Sequence, residues 1–459
     1  MSGTCTSDMR MSEMLLAYYG DDFSGSSDVL EVLAAAGVPT VLFLNPPSTA
    51  QLARFPGIRA VGIAGLSRSL ATEKLERELR PAFTALAKLS SVIQYKICST
   101  FDSSPQVGSI GKVIDIARDM FRPSHIPLVV GAPPLGRYCL FGNLFARSGA
   151  GGNIYRLDRH PTMARHPVTP MDEADLTVVL ARQTKARAAS LDWLHLTSPH
   201  RDQLVAAGAE IVVIDLFAEE QYSVVGKLVL ESVQNGRTLF AAGSTGLDFA
   251  LTAHWRETGR IPEKTTVTDF ASTDCIVAVS GSCSPVTESQ ITHAVRLGFG
   301  EVSLQPDDWT KGSADSAVTQ SRMFLKEGRS VIVHAALGPG DPRIAQANSR
   351  LEKMGRAGQR DGILGEVLAE VVKMAVKDAG VRRIAVAGGD TSGHVTSKLG
   401  IEALEYVAPL APGSPLCRIV ARDSSLDGAE VTFKGGQVGG LDFFVRVARG
   451  TRKEGKDVN

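Results

Sequence analysis

The chain has 459 residues, with Lys plus Arg and Asp plus Glu both at 49, so it is long enough for two domains and has no basic field for nucleic acid. Hydrophobic residues make up 44% and glycines number 45, the composition of an α/β protein rich in tight turns. No run approaches the roughly 20 apolar residues of a membrane span.

The apolar run after Arg10 is too short for a signal-peptide core, and the six cysteines show no C-x-x-C pair or zinc spacing. These features lead us to expect reduced thiols and a cytoplasmic protein. The polar residues 1–12 and the tail RGTRKEGKDVN are expected to be disordered or frayed.

From the N-terminus, short β-branched runs alternate with helical patterns. LLAYYG, TVLFL, AVGIAG, VIQYKI, PLVVG and EIVVIDL are predicted strands, and the segments between them can hold crossover helices. The polar stretch 256–273 is predicted to link two domains, residues 1–265 and 266–459. CIVAVSG, EVSLQ, SVIVHAA and RIAVAGG then restart the alternation, and shorter strands follow at CRIVA and EVTFKGG. The segment Ile344 to Val376 reads as helix broken by Gly355, Gly358 and Gly362. The expected fold is α/β, two domains that are each a largely parallel sheet flanked by helices, with a ligand cleft between them.

Three N-terminal segments could carry chemistry. After the first strand, Gly20, Asp21, Asp22, Ser24, Gly25, Ser26, Ser27 and Asp28 are predicted to crowd the turn before a helix, beyond the carboxyl end of the strand where α/β ligands bind. A helix cap would need only one of them. In KICSTFDSS, Lys96 is followed by Ser99, Thr100 and Asp102, which together offer an anionic, polyhydroxylated ligand a cation and hydroxyl partners. In RLDRHPTMARHPVTPMD, Arg159, His160, Arg165 and His166 are predicted to form a cationic cluster, and Thr169 to Asp172 to cap the next helix.

The C-terminal half has three glycine turns. Ser280-Gly281-Ser282 opens a helix near Ser284 or Pro285, Gly388-Gly389-Asp390-Thr391-Ser392 follows another strand, and Lys434 to Gly440 reads KGGQVGG. Backbone N–H groups at such turns approach phosphates closely, so three in one domain favour a nucleotide. There is no Walker A loop and no G-x-G-x-x-G fingerprint. The missing fingerprint argues against a nicotinamide-dependent oxidoreductase, and no visible signal peptide supports a secreted sugar-acid binder.

Taken in order, GDDFSGSSD, KICSTFDSS with GSIG, HPVTPMDEADL, GSCSPVTESQI, GGDTSG and KGGQVGG resemble the motifs of the four-carbon acid sugar kinase family across nearly the whole chain. Cys98 to Ser103, CSTFDS, resembles the branch acting on 3-oxo-tetronates, where threonate and erythronate kinases carry D-S-T-L-R-G-N. The chain departs from the family at Ser24, Ser109, Gly435, Gln437 and Val438. The resemblance implies a sugar-acid domain followed by an ATP domain. It places Asp21, Ser99, Thr100, Arg159 and His166 on the sugar acid, and ATP at Ser282, Ser284, Gly388 to Ser392 and Gly436. Our mechanistic expectation is that Asp22 or Asp102 accepts the proton of the attacked hydroxyl, Lys96 binds an anionic oxygen, and Asp390 contacts Mg²⁺. The expected partners are the sugar acid and ATP, without nucleic acid or membrane. A homodimer is left open.

Overall fold

Most of the apolar runs named above are buried on both faces, as strands covered by helices on two sides must be. In the computed structural model, which describes residues 14–451 except 150, 167, 198, 233–236, 264–268 and 422–423, and only the backbone of 390, all five residues of the strand Leu16–Gly20 are buried. The chain forms two compact units, residues 1–265 and 266–459.

The N-terminal unit holds parallel strands in the order Thr40–Phe43, Ala60–Ala64, Leu16–Gly20, Val92–Lys96, Leu239–Gly243, Ile126–Val129, Ile211–Ile214 and Ala188–Leu191. Strand order reverses between Leu16–Gly20 and Val92–Lys96. Such a switch point, at the carboxyl ends of the strands, is where open α/β sheets bind ligands. Behind this edge the side chains of Tyr19 and Tyr95 stack at 6.1 Å, and Phe83 meets Phe240 edge-on at 5.2 Å. A separate antiparallel sheet, Arg137–Leu140, Asn143–Arg147 and Ile154–Arg156, follows the strand Ile126–Val129. The strand search missed it because its strands are short and interrupted by arginine and Gly142.

In the C-terminal unit the order is Gly300–Ser303, Val331–His334, Ile276–Ser280, Arg383–Ala387, Glu430–Lys434, Ser414–Val420 and Ala403–Ala411. The first five strands run parallel and the last two antiparallel.

Several local expectations are corrected. The helix Thr245–Glu257 runs into the expected linker, and Phe270, at its other end, is buried under the Arg383 guanidinium at 5.0 Å. Gly355 and Gly358, at positive φ, separate the helices Pro342–Lys353 and Arg360–Ala379, whereas Gly362 lies inside the second helix. Thr169 to Asp172 cap nothing: the helix begins at Leu176, and Asp175 is its cap, accepting from the Thr177 N–H at 2.9 Å. Residues 1–12 and most of the tail lie outside the described residues.

Candidate functional site

At the switch between strands Leu16–Gly20 and Val92–Lys96, the first helix begins at Phe23, not after the acidic cluster. Asp22 is its N-cap, accepting from the Gly25 N–H at 2.8 Å, and Ser24 through Asp28 form the first turns of the helix rather than a loop. Asp21 is 2% exposed and faces a group the sequence reading missed. From the turn Ser67–Ser69, Arg68 grips Asp21 with Nε at 3.1 Å and Nη2 at 2.6 Å, and Nη2 reaches Asp22 at 2.8 Å. Burial works against the charge on Arg68, but Asp21 and Asp22 outweigh it and hold the guanidinium cationic. Gly108, at φ 59, lets the neighbouring loop abut this turn, since a Cβ there would lie 2.4 Å from the Arg68 carbonyl oxygen.

Lys96 ends its strand with Nζ 3.9 Å from Asp28 and 3.2 Å from the Ile97 carbonyl. The helix Thr245–Glu257 supports this lysine from behind. Thr245 donates to Asp28, and the fully buried Asp248 accepts from Gln94 at 3.2 Å. Burial pushes the Asp248 carboxyl up to about 7, and pushes Asp28 up as well. A Cβ on Gly25 would sit 2.6 Å from Asp22 Oδ1, 3.2 Å from Lys96 Nζ and 3.7 Å from Arg68 Nη2, so that glycine floors the place where the charges meet.

The following loop is wired to the same centre. Cys98 N–H donates to Asp21 at 3.3 Å, Thr100 donates to Asp102 at 2.7 Å, and the Cys98 thiol reaches Asp102 at 3.4 Å. Burial, helped by Asp102, raises the thiol to about 11, which keeps it protonated and excludes a thiolate nucleophile. Phe101 is buried at φ 57, a left-handed conformation rare for a bulky residue, and it turns the loop between Thr100 and Asp102. Ser99 is half-buried beside them.

In the third segment each imidazole is engaged within its own loop. His160 is buried, and its Nδ1 accepts from the Thr162 and Met163 N–H groups at 3.2 Å, while burial lowers its pKa, so it is neutral. His166 Nδ1 accepts from Thr169 N–H at 3.0 Å, and Arg159 pairs with Asp158 while its side chain is 77% exposed. Among the described residues, no hydrogen bond joins Arg159 or His166 to the Lys96–Asp102 group.

In the C-terminal unit the three glycine turns converge. A Cβ on Gly281 would lie 2.2 Å from Thr391 Oγ1, one on Gly388 would lie 3.3 Å from Ser282 N, and one on Gly436 would lie 2.8 Å from Ser282 Oγ. Ser282 accepts from the Ser284 N–H at 3.2 Å, and Ser284 caps the helix Pro285–Arg296. Gly388, at φ 117, caps the helix Gly389–Leu399, where the Ser392 hydroxyl is committed to the Gly388 carbonyl at 2.7 Å. The backbone of Asp390 lies in the first turn of that helix, and its side chain lies outside the described part. Thr287 donates to Gly436 O at 2.8 Å, and Gln290 Nε2 donates to the carbonyls of Val438, Gly439 and Gly440 at 2.9–3.0 Å, clamping the last turn in place. Lys434 is fully buried, donates to Thr287 at 2.8 Å, and is lowered to about 8 by burial. Thr287, Gln290 and Lys434 lie inside the quoted motifs but were given no role, because they sit in the helix and strand flanking the glycines.

Two glycine turns at helix N-termini, packed against a third turn, suit the phosphates of a nucleotide. The N-terminal cluster of acids, cations and hydroxyls suits a polyhydroxylated anion. Residues 16–251 match a family described as a sugar-binding N-terminal domain, and residues 277–444 match one described as a nucleotide-binding C-terminal domain. The chain is 46% identical over 449 residues to the 3-oxo-isoapionate kinase of Paraburkholderia graminis, covering 95% of this chain and 94% of that one. It is 28% identical over 448 residues to the 3-oxo-tetronate kinase of Cupriavidus necator, covering 95% and 96%. A crystal structure from Salmonella typhimurium shares the fold, with a TM-score of 0.76 at 23% identity over 95% of this chain and 99% of that one. Motifs, domain matches and relatives agree that this chain belongs to the four-carbon acid sugar kinase family.

Proposed function

We propose that the protein transfers a phosphoryl group from ATP to a hydroxyl of a 3-oxo sugar acid, with 3-oxo-isoapionate as its preferred substrate. The observation that carries this choice is the 46% identity to a 3-oxo-isoapionate kinase across 95% of the chain, against 28% for the Cupriavidus 3-oxo-tetronate kinase. A second reading, 4-phosphorylation of a 3-oxo-tetronate, is favoured by the CSTFDS sequence of Cys98 to Ser103.

In this reading Asp21, Ser99 and Thr100 position the acceptor and Lys96 faces the oxygens of the phosphoryl group in transfer. Asp102 takes the proton of the attacked hydroxyl, because its partners Thr100 and Cys98 are uncharged. Asp22, tied to Arg68 and to the helix backbone, orients rather than accepts. Bound ATP with Mg²⁺ supplies the phosphoryl group and neutralises its charge. The space left by the side-chain-free Gly388 and Gly436 beside Ser282 fits its phosphates, and Asp390 is the proposed metal contact.

A coupled ADP-release assay with Mg-ATP tests this against 3-oxo-isoapionate, 3-oxo-tetronates, threonates and erythronates. Highest kcat/KM with 3-oxo-isoapionate is the expected result. Higher kcat/KM with a 3-oxo-tetronate would replace it with the second reading, and turnover of none of these acids would overturn both.

A further inference from the structure

A sugar acid brings a carboxylate, and each cation assigned above already has an acidic neighbour. Arg68 is held by Asp21 and Asp22, Lys96 lies near Asp28, and Arg159 pairs with Asp158. Arg137 differs. It opens the small antiparallel sheet just after Gly136, a left-handed turn at φ 68, and its backbone pairs with Ala132 beyond the strand Ile126–Val129. That strand runs parallel to Leu239–Gly243, which runs parallel to Val92–Lys96, so Arg137 follows the same sheet edge that carries Lys96.

Its guanidinium is fixed by the main chain. Nη1 donates to the carbonyls of Leu135 at 2.9 Å, Gly136 at 3.3 Å and Arg147 at 3.4 Å. Nε is buried with no hydrogen-bond partner, and Arg137 forms no ion pair among the described residues. Removal from water lowers its pKa, and the negative charge of Asp102 offsets this only in part. A partly buried guanidinium anchored by carbonyls, with Nε unpaired and no carboxylate in ion-pair contact among the described residues, is suited to take an incoming anion.

We infer that Arg137 is the anchor for the carboxylate of the acceptor, binding it through planar, charge-assisted hydrogen bonds while the distal hydroxyls lie toward Lys96 and Asp102. The inference rests on the sugar-acid reading above. It also gives the small sheet a role in selecting acids over neutral sugars.

The test compares wild type with Arg137→Met, Arg137→Gln and Arg137→Lys, using 3-oxo-isoapionate, the 3-oxo-tetronates and the methyl ester of each acid. Arg137→Met should raise KM for the acid roughly 10-fold to 100-fold, leave KM for ATP unchanged and abolish the preference for acid over ester. Arg137→Gln still donates to a main-chain carbonyl and serves if the Met variant does not fold. Arg137→Lys should fall between, because an ammonium keeps the charge but lacks the fork. Folded variants that keep the wild-type preference for acid over ester would overturn the inference. Wild type that turns over none of these acids refutes the kinase reading by itself. Calorimetric titration of the same acids and esters then decides Arg137: acid binding lost in the Met or Gln variant supports it, and equal binding, or none by wild type, overturns it.

Discussion

The two candidate sites, one in each unit, solve recognition in opposite ways. The N-terminal one is built from charged side chains held by one another: Arg68 on Asp21 and Asp22, Thr245 on Asp28, and Asp28 beside Lys96. The C-terminal one is built from missing side chains, with Gly281, Gly388 and Gly436 clearing space around Ser282 and Thr391, and one buried cation, Lys434, bonded to a hydroxyl. A ligand with many hydroxyls and one charge must be read by directed groups, whereas phosphates can be held by backbone N–H donors that no substitution of a neighbour removes. The first design should therefore fail through loss of charge, the second through gain of bulk.

The largest effect should come from Lys96→Met, which lowers kcat about 10²-fold to 10³-fold with KM for ATP unchanged. Steady-state kinetics with ATP varied checks this, and near wild-type kcat would contradict the role. Next is Gly388→Ala, at φ 117 and with its new Cβ 3.3 Å from Ser282 N. It should raise KM for ATP about tenfold or more while calorimetric binding of the sugar acid is unchanged.

Two pH measurements separate the sites further. Lys434, lowered to about 8, is cationic below that pH, so kcat/KM for ATP should fall as pH rises through 8, and Lys434→Met should flatten that limb. Asp248 is raised to about 7 by burial, so the folded state holds a proton that the unfolded state has released between about pH 4 and 7. Its contribution to stability is intact below pH 4 and declines as pH rises to 7. Asp248→Asn should accordingly raise Tm at pH 8 and leave it nearly unchanged at pH 4, read by thermal melts at both. The smallest effect is expected for the exposed Arg159, where Arg159→Ala should change kcat/KM for the acid by no more than about twofold.

The central strands were legible in the sequence because buried parallel strands are continuous apolar runs, as in IVAVS and RIAVA. The glycine turns were legible because glycine and hydroxyls mark a strand-to-helix junction. Arg68 was not, since it lies 46 residues from Asp22 in a short turn whose sequence, SRS, carries no periodicity. Arg137 was hidden for a related reason: three carbonyl partners define it, and carbonyls leave no trace in a sequence. At Arg159 to His166 the adjacent cationic letters do not reveal where each imidazole finds its hydrogen bonds. His160 and His166 spend theirs on the backbone of their own loop.

Gly25 has one further consequence. Its bare Cα faces Asp22, Lys96 and Arg68 from the first turn of a helix, where the backbone is not at positive φ and only the side chains limit an added methyl. A single methyl there would push the Asp22 carboxylate off its bonds to the Gly25 N–H and Arg68 and crowd Lys96, while removing no charged group from the chain. Gly25→Ala is thus a route to an acceptor-blind form of the protein, in which the nucleotide half of the reaction can be watched without phosphoryl transfer to a sugar.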